Sequence, residues 1–241
     1  MIEVYPADSR YHAENEWLRS NFSFSFGPYY DPENTHFGPM RVLNDDFIAP
    51  EKGFGAHPHS DMEVVSIVLQ GKLKHQDNLG NVGITSWGEI QRMTAGTGII
   101  HTEFSASTDE ELNLLQLWFE PEERGLNPSY EITRFDTESL AKRWTPVVSN
   151  HASHHALHHA SHHVGKVHQD MTIYLGQMAS GETRSYETST SRRMFLFVIN
   201  GEVLVNDGTE LHDRDSVRIT DLSTLDVHAT APSRLMLIDL P

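Results

Sequence analysis

Two short strings carry the residues best suited to chemistry in this chain. They are His57-Pro-His59 and His101-Thr-Glu103. In an extended strand the side chains at positions i and i+2 point to the same face, so each string presents two ligand groups to one side of a sheet. Imidazole nitrogen combined with carboxylate oxygen suits divalent transition metals better than magnesium or calcium. Two such strands facing each other would form a four-ligand metal site.

The composition limits what could bind at such a site. The chain has no cysteine, which excludes disulfides, a thiolate nucleophile and any zinc finger or iron–sulfur cluster built on protein sulfur. Eighteen Lys and Arg stand against 34 Asp and Glu, for a formal net charge of −16. This charge opposes a phosphate backbone. We therefore expect nitrogen and oxygen ligands and no direct binding of nucleic acid.

The length and the hydropathy pattern bound the class of protein. A chain of 241 residues allows one large domain or two small ones. No run approaches the roughly 18 apolar residues of a membrane span. Residues 1–5 lack the basic region and long apolar stretch that mark a signal peptide. We expect a cytoplasmic protein that does not associate with membranes.

Short apolar and aromatic runs, separated by turn-forming residues, dominate the chain. Such a pattern predicts an all-β barrel or sandwich, and glycines at turn-like intervals in the first half agree with it. The predicted strands include the alternating run 22–26 and the apolar runs 64–69, 112–119, 194–199, 203–205 and 235–240.

A weak internal repeat indicates two copies of one barrel. The similar segments are 68–74 with 198–204, and 88–94 with 214–220. Extending the second pair places Val227 opposite His101, and Ala229 then falls opposite Glu103. We therefore expect the second copy to have kept the scaffold and lost the ligands.

Between the two copies the composition changes. Residues 137–144 could form a short helix, and 151–163 follow, in which seven of thirteen residues are His. One interpretation is a solvated linker. The other is a metal buffer, in which four histidines share one helical face: His151, His155, His158 and His162. We favour the linker, because an unstructured tract would lose chain entropy on binding.

Longer motifs around the two strings resemble those of the cupin superfamily. Glycine, His-x-His and the later Glu63 resemble its first motif, and Gly96-x-Gly98-x-x-His101 resembles its second, with Gly96 in place of the usual proline. Within the superfamily the chain is identified as a member of the pirin family. The segments that carry this resemblance are 22–32, 37–38, 41–46, 53–63, 96–103, 115–121 and 167–171.

The resemblance implies a bicupin, with two tandem cupin barrels of the double-stranded β-helix or jelly-roll type. We expect a metal-binding barrel over 1–135, a linker with the His-rich tract over 136–165, and a second barrel without metal ligands over 166–241. Because such a chain already pairs its barrels internally, we expect a monomer.

The resemblance also implies the ligand set of the metal: His57, His59, His101 and Glu103. Glu63 competes for the fourth position, since its even spacing from His59 could keep it on the ligand face. Pirins place the carboxylate in the second string, which favours Glu103. Glu63 would then orient a ligand histidine or bridge to it through water.

Pirin relatives with this ligand set include enzymes that act on flavonols, so the resemblance implies a quercetin 2,3-dioxygenase that releases carbon monoxide. The cofactor would be one divalent transition metal, with iron(II) first and nickel, manganese, copper, cobalt or zinc open. It would act as a Lewis acid, while Glu103 accepts the proton of the flavonol 3-hydroxyl. The partners would be a small aromatic substrate and dioxygen. The expected apolar walls are Phe22, Phe24, Phe26, Phe54 and Phe104.

A second hypothesis belongs to a different class. Some pirins bind transcription factors in a redox-dependent way, which implies a metal-dependent regulatory protein without a physiological flavonol substrate. The acidic composition would suit a basic protein partner.

Overall fold

A computed structural model describes residues 1–151, 163–206 and 208–241. Strands dominate these ranges, with two 3-10 helices at Ala7–Ser9 and Ser139–Ala141, and the all-β expectation is confirmed. The first eleven strands are β1 (Ile2–Tyr5), β2 (Tyr11–Glu14), β3 (Leu18–Phe22), β4 (Met40–Ile48), β5 (Gly53–His59), β6 (Glu63–Gln70), β7 (Leu73–Asp77), β8 (Val82–Thr85), β9 (Glu89–Thr94), β10 (Ile99–Ser105) and β11 (Leu112–Phe119). The others are β12 (Ser129–Arg134), β13 (Thr145–Ser149), β14 (Gly165–Lys166), β15 (Thr172–Met178), β16 (Thr183–Glu187), β17 (Arg193–Asn200), β18 (Val203–Val205), β19 (Thr209–Leu211), β20 (Ser216–Ile219), β21 (Thr224–Ala229) and β22 (Ser233–Leu240).

The chain divides into two compact units whose segments alternate along the sequence. The first unit comprises Tyr11–Phe135 and Asn150–Gln169, and the second comprises Met1–Arg10, Asp136–Ser149 and Asp170–Pro241. These units differ from the predicted ranges 1–135, 136–165 and 166–241 at residues 1–10, 136–149 and 150–169. Residues 1–10 join the second unit because β1 pairs with β20, and residues 136–149 join it because β13 pairs with β15. Of the predicted His-rich tract, 152–162 lie outside the described residues.

Each unit contains one large and one four-stranded antiparallel sheet in the same strand order. In the first unit the orders are β12-β9-β6-β11-β4-β3-β2 and β5-β10-β7-β8. Among the strands that belong to the second unit they are β1-β20-β17-β22-β15-β13 and β16-β21-β18-β19. Strand β10 therefore corresponds to β21, which indicates that the internal repeat is a repeat of topology.

The position of His101 in β10 is taken by Val227 in β21. His101 pairs with His57 and Asp77, and Val227 pairs with the equivalent strands through Arg184 and Val205. Val227 is fully buried in an apolar cluster of the second unit. In the second unit a hydrophobic side chain thus occupies the strand position that an imidazole occupies in the first.

Most of the predicted strands are confirmed. The runs 64–69, 112–119, 194–199, 203–205 and 235–240 correspond to β6, β11, β17, β18 and β22. The strand over 22–26 was wrong, because β3 ends at Phe22 and a tight turn at Gly27, with a positive φ of 54°, brings Phe26 back to pair with Tyr29. The helix over 137–144 was also wrong, since only a single 3-10 turn forms before β13 begins.

Gly96 forms the turn that leads into β10, and a proline could not replace it. Its φ is +47°, and a Cβ at this position would lie 2.0 Å from the carbonyl oxygen of Leu126. Proline fixes φ near −65°, whereas glycine adopts positive φ without steric cost. The departure from the usual cupin motif at this position therefore follows from the local backbone.

In the part of the chain that the structure describes, no helix is long and apolar enough to cross a membrane.

Candidate metal centre

Strands β5 and β10 bring three histidines together at one end of the four-stranded sheet in the first unit. The antiparallel register places His101 opposite His57 and Ile99 opposite His59. The ring centroids are 4.4 Å apart for His57 and His101, and 4.9 Å apart for His59 and each of the other two. Potential ligand atoms of all three rings lie within 4.8 Å of one another. The two strings therefore meet as their spacing predicted.

Glu103 belongs to a second group that shares His101 with the first. Potential ligand atoms of His75, His101 and Glu103 also lie within 4.8 Å of one another. A register shift between His101 and Glu103, opposite β5, interrupts the regular pairing. The structure thus brings the other three predicted ligands close to His101 and adds His75 as a fourth neighbour.

The Glu103 carboxylate is held by amide donors inside the barrel. Gln91 donates to Oε1 at 2.8 Å, and Gln116 donates to Oε2 at 2.9 Å. Ser66 completes the set with a long hydrogen bond of 3.5 Å to Oε1. Burial raises the pKa of Glu103 to about 7, although these donors favour the ionised form. These hydrogen bonds thus fix the orientation of the carboxylate.

Glu63 lies on the other face of β6 and does not compete for the site. Ser66, three residues later, points into the barrel, where its hydroxyl contacts Gln116, and strand alternation turns Glu63 away. The Glu63 carboxylate accepts a hydrogen bond of 2.9 Å from Thr94 and lies 3.2 Å from His168 Nδ1. Its predicted role beside the metal ligands was therefore wrong.

The histidines present nitrogen lone pairs to the site. His57 Nδ1 donates to the carbonyl oxygen of Gly55 at 2.7 Å, which leaves Nε2 as an acceptor. Burial and the neighbouring His57 lower the pKa of His59 to about 4. Burial, together with His57, His59 and His75, lowers the pKa of His101 to about 2. Neutral imidazoles are the form that binds a metal ion.

A chain of hydrogen bonds runs from His101 to a carboxylate through a residue that sequence reasoning missed. His75 Nε2 lies 2.9 Å from Asp77 Oδ2, and three N–H groups of Leu79 and Asn81 also donate to the Asp77 carboxylate. Because this carboxylate only accepts, His75 donates from Nε2, and its Nδ1 accepts the Nδ1–H of His101 at 3.2 Å. Nε2 of His101 is then the lone-pair nitrogen. His75-Gln-Asp77 repeats the i, i+2 spacing of the two strings, a signal that could have identified it.

His101 Nε2 shows that the site fits a metal ion. This nitrogen is buried and has no hydrogen-bond partner among the described residues. A buried acceptor without a partner is unfavourable, and a cation between the three imidazoles would satisfy it. Both nitrogens of His75 are already hydrogen-bonded, so His75 is better suited to orient His101 than to bind metal. The donor set of imidazole and carboxylate can hold one divalent transition metal.

A cavity of about 150 Å³ opens beside the cluster and is lined by His57, His59 and Glu103. Phe22, Phe26 and Phe54 line it as predicted. Phe24 and Phe104 are not part of its lining; Phe104 alternates with Glu103 along β10 and faces the other side. The remaining lining residues are Leu18, Ser20, Asn44, Asp46, Gln116 and Trp118.

Fold and site together define a two-domain cupin protein with a candidate metal centre in its first unit. The Pirin family model matches residues 5–119, and the model of the quercetinase C-terminal cupin domain matches residues 157–240. The chain belongs to the pirin family, and the predicted bicupin architecture is confirmed.

Relatives cover the whole chain. Quercetin 2,3-dioxygenase of Escherichia coli (strain K12) is 40% identical over 241 residues, which span 100% of this chain and 99% of that protein. The crystal structure of YhhW from Escherichia coli matches with a TM-score of 0.92 at 39% identity, covering 100% of this chain and 98% of that one. A structure of the bacterial pirin YhhW from Escherichia coli in complex with nickel(II) matches with a TM-score of 0.90 at 39% identity, covering 100% and 99%. In sequence the chain is quercetin 2,3-dioxygenase-like, as predicted.

Proposed function

We propose that the chain is a metal-dependent dioxygenase that cleaves flavonols such as quercetin, with His57, His59, His101 and Glu103 as metal ligands. The convergence of three imidazoles around the unpartnered His101 Nε2, beside an apolar cavity, carries the proposal. The 40% identity to quercetin 2,3-dioxygenase of Escherichia coli supports the substrate class. Iron(II) is the proposed native ion, with nickel, manganese, copper, cobalt and zinc as alternatives.

In the proposed reaction, C3 of the flavonol leaves as carbon monoxide and both atoms of dioxygen enter the ester product. The bound metal would supply Lewis acidity that lowers the pKa of the 3-hydroxyl. Glu103 takes the 3-hydroxyl proton, because its carboxylate lines the cavity together with His57 and His59. Gln91 and Gln116 hold both carboxylate oxygens in place for this transfer.

The volume of the cavity suits an aromatic ring. An engineered cavity of about 150 Å³ accommodates benzene, and the cavity here has about the same volume. It therefore has room for an aromatic ring of the substrate. Trp118 and Phe22 supply aromatic surface for this ring.

The test is to remove the metal with a chelator, reload each of the six ions separately, and follow quercetin loss, oxygen uptake and carbon monoxide release. We expect turnover with at least one ion, dependent on oxygen, and its loss in the His101→Ala variant. His212→Ala is the matched control, since His212 is half-exposed and belongs to the second unit, whereas the histidine cluster belongs to the first. Absence of turnover with all six ions would overturn the proposal.

A further inference from the structure

One wall of the cavity is polar, although no predicted metal ligand lies on it. Ser20 on β3 pairs with Asp46 on β4, and Asn44 precedes Asp46 by two residues on the same face of β4. All three side chains line the cavity. They are buried, with exposed fractions of 1%, 4% and 3% for Ser20, Asn44 and Asp46. We call these three residues the polar ridge.

Asp46 offers the ridge an open acceptor. Its Oδ1 accepts a short hydrogen bond from the Ser20 hydroxyl. Its Oδ2 has no hydrogen bond to any residue that the structure describes, and Asn113 donates to the main-chain oxygen of Asp46 instead. Because buried carboxyl oxygens are almost always hydrogen-bonded, an open oxygen in a cavity indicates a position for a donor from a ligand.

Asn44 adds a second acceptor. Its Oδ1 is buried without a hydrogen-bond partner in the described ranges. Its cross-strand neighbour Gln116 is committed to the Glu103 carboxylate. Asn44 therefore plays no part in holding Glu103. A buried amide oxygen without a hydrogen-bond partner lowers stability. This cost is expected of a group whose role is to bind a ligand.

We propose that the polar ridge is a binding subsite for a ring hydroxyl of the substrate, distinct from the hydroxyl that faces the metal ligands. Two unsatisfied acceptors call for a donor, and the carboxyl groups of Asp46 and Glu103 in one small cavity disfavour an anion. The neighbouring rings of Phe22 and Trp118 suit an aromatic compound. The substrate class is thus a hydroxylated aromatic with at least two hydroxyl groups. The assignment to flavonols rests on the proposed function.

The electrostatics of Asp46 agree with a neutral partner. Burial, with the nearby Asp45 and Glu103, raises the pKa of Asp46 to about 7, against the opposing effect of the Ser20 hydroxyl. A ring hydroxyl suits both forms of this carboxyl group, because it can donate to Oδ2 when Asp46 is ionised and accept from Oδ2 when Asp46 is protonated.

The experiment measures binding without turnover. Nickel-loaded protein is titrated under nitrogen, by calorimetry, with 3-hydroxyflavone, with 3,4′-dihydroxyflavone and with 3,7-dihydroxyflavone. The last two compounds each add one hydroxyl, on the pendant or the fused ring. We expect at least one of them to bind about tenfold more tightly than 3-hydroxyflavone, since a satisfied buried acceptor is worth about one factor of ten.

Variants test whether the polar ridge causes this difference in affinity. In Asn44→Leu and in Asp46→Leu, we expect the affinity ratio to fall toward one. The Asn44→Leu variant should also melt no lower than the wild type, because it replaces an unpaired buried amide by an apolar group of similar shape. Asn21→Leu is the control on the neighbouring strand, since the Asn21 side chain bonds to exposed His12 instead of lining the cavity.

Each outcome decides the inference. Equal affinities in the wild type, no binding of any of the three compounds, or a ratio that persists in both variants would overturn the subsite. If the ratio holds but quercetin is never cleaved with any metal, the proposed function fails while the hydroxyl subsite stands. If quercetin is cleaved but the three affinities are equal, the subsite fails while the proposed function stands.

Discussion

The Nδ1 atoms of His75 and His101 lie 3.2 Å apart, deep in the first unit. Because Asp77 fixes the proton of His75 on Nε2, His101 must donate from Nδ1 and keep its lone pair on Nε2. A residue outside the predicted ligand set thus determines which nitrogen of His101 faces the site.

The first prediction concerns this hydrogen bond. His75→Phe keeps a ring against Tyr130, on which His75 stacks at 4.1 Å, but removes the acceptor for His101. We expect nickel affinity, measured by competition with a chelator, to fall about 10- to 100-fold, as for other groups that orient metal ligands. Asp77→Asn should cause a smaller loss. Unchanged affinity in a folded His75→Phe variant would show that His101 needs no such partner.

The second prediction separates the two glutamates. Glu103→Gln should lower kcat for quercetin by about 10²- to 10⁴-fold, the usual contribution of a positioned general base. Glu63→Gln should leave turnover within about threefold, because its carboxylate faces Thr94 and His168 instead of the cavity. Circular dichroism and thermal melts establish that both variants are folded. The reverse result would return Glu63 to the site.

The third prediction uses the pH dependence of unfolding of the metal-free protein. The folded-state pKa of Asp46 is about 7, well above the value near 4 of an unfolded chain. Between pH 4 and pH 7 the folded state therefore holds a proton that the unfolded state has lost. The stabilisation of the folded state by this proton is fully present below pH 4 and is lost as the pH rises through 7.

Urea unfolding at pH 5, 6, 7 and 8 measures this effect in the wild type and in Asp46→Asn. The free energy of unfolding of the wild type, relative to the variant, should fall by about 1.4 kcal/mol per pH unit up to pH 7. His59 and His101, whose pKa values are lowered, contribute with the opposite sign, but they are present in both proteins and cancel. Parallel curves would contradict the assignment of the raised pKa to Asp46.

The fourth prediction compares two glycines of β5. A Cβ on Gly53 would lie 2.1 Å from the main-chain oxygen of Glu103, whereas nothing lies within 4 Å of a Cβ on Gly55. Gly53→Ala should therefore cost about 1–3 kcal/mol, as overpacking does, and weaken metal binding by shifting Glu103. Gly55→Ala should be neutral or slightly stabilising. A Gly53→Ala variant with wild-type melting temperature and metal affinity would disprove the close approach.

Much of the fold was predictable because the local pattern and the tertiary structure agree. The run 112–119 is apolar except for Asn113 and Gln116 and forms β11, the strand between β6 and β4. The run 22–26 alternates strictly between Phe and Ser, yet it does not form a strand, and the chain turns at Gly27. Alternation states which residues could share a face, but it does not fix where strand pairing stops, and β3 ends at Phe22, before the turn at Gly27. The segments 1–10 and 136–149 were misplaced for a related reason, since strand partners distant in the chain leave no local signal.

The sequence by itself determined the chemistry: two strings with i, i+2 spacing, no cysteine, and imidazole with carboxylate as the ligand groups that the strings offer to a metal. It also determined the family, because the motifs around His57 and His101 extend over most of the chain. Only the tertiary structure decided that Glu103 and not Glu63 faces the barrel interior, that His75 orients His101, and that Ser20, Asn44 and Asp46 form one wall of the cavity. These relationships depend on cross-strand register and on the face of each strand, which pairing between distant segments fixes and local spacing does not.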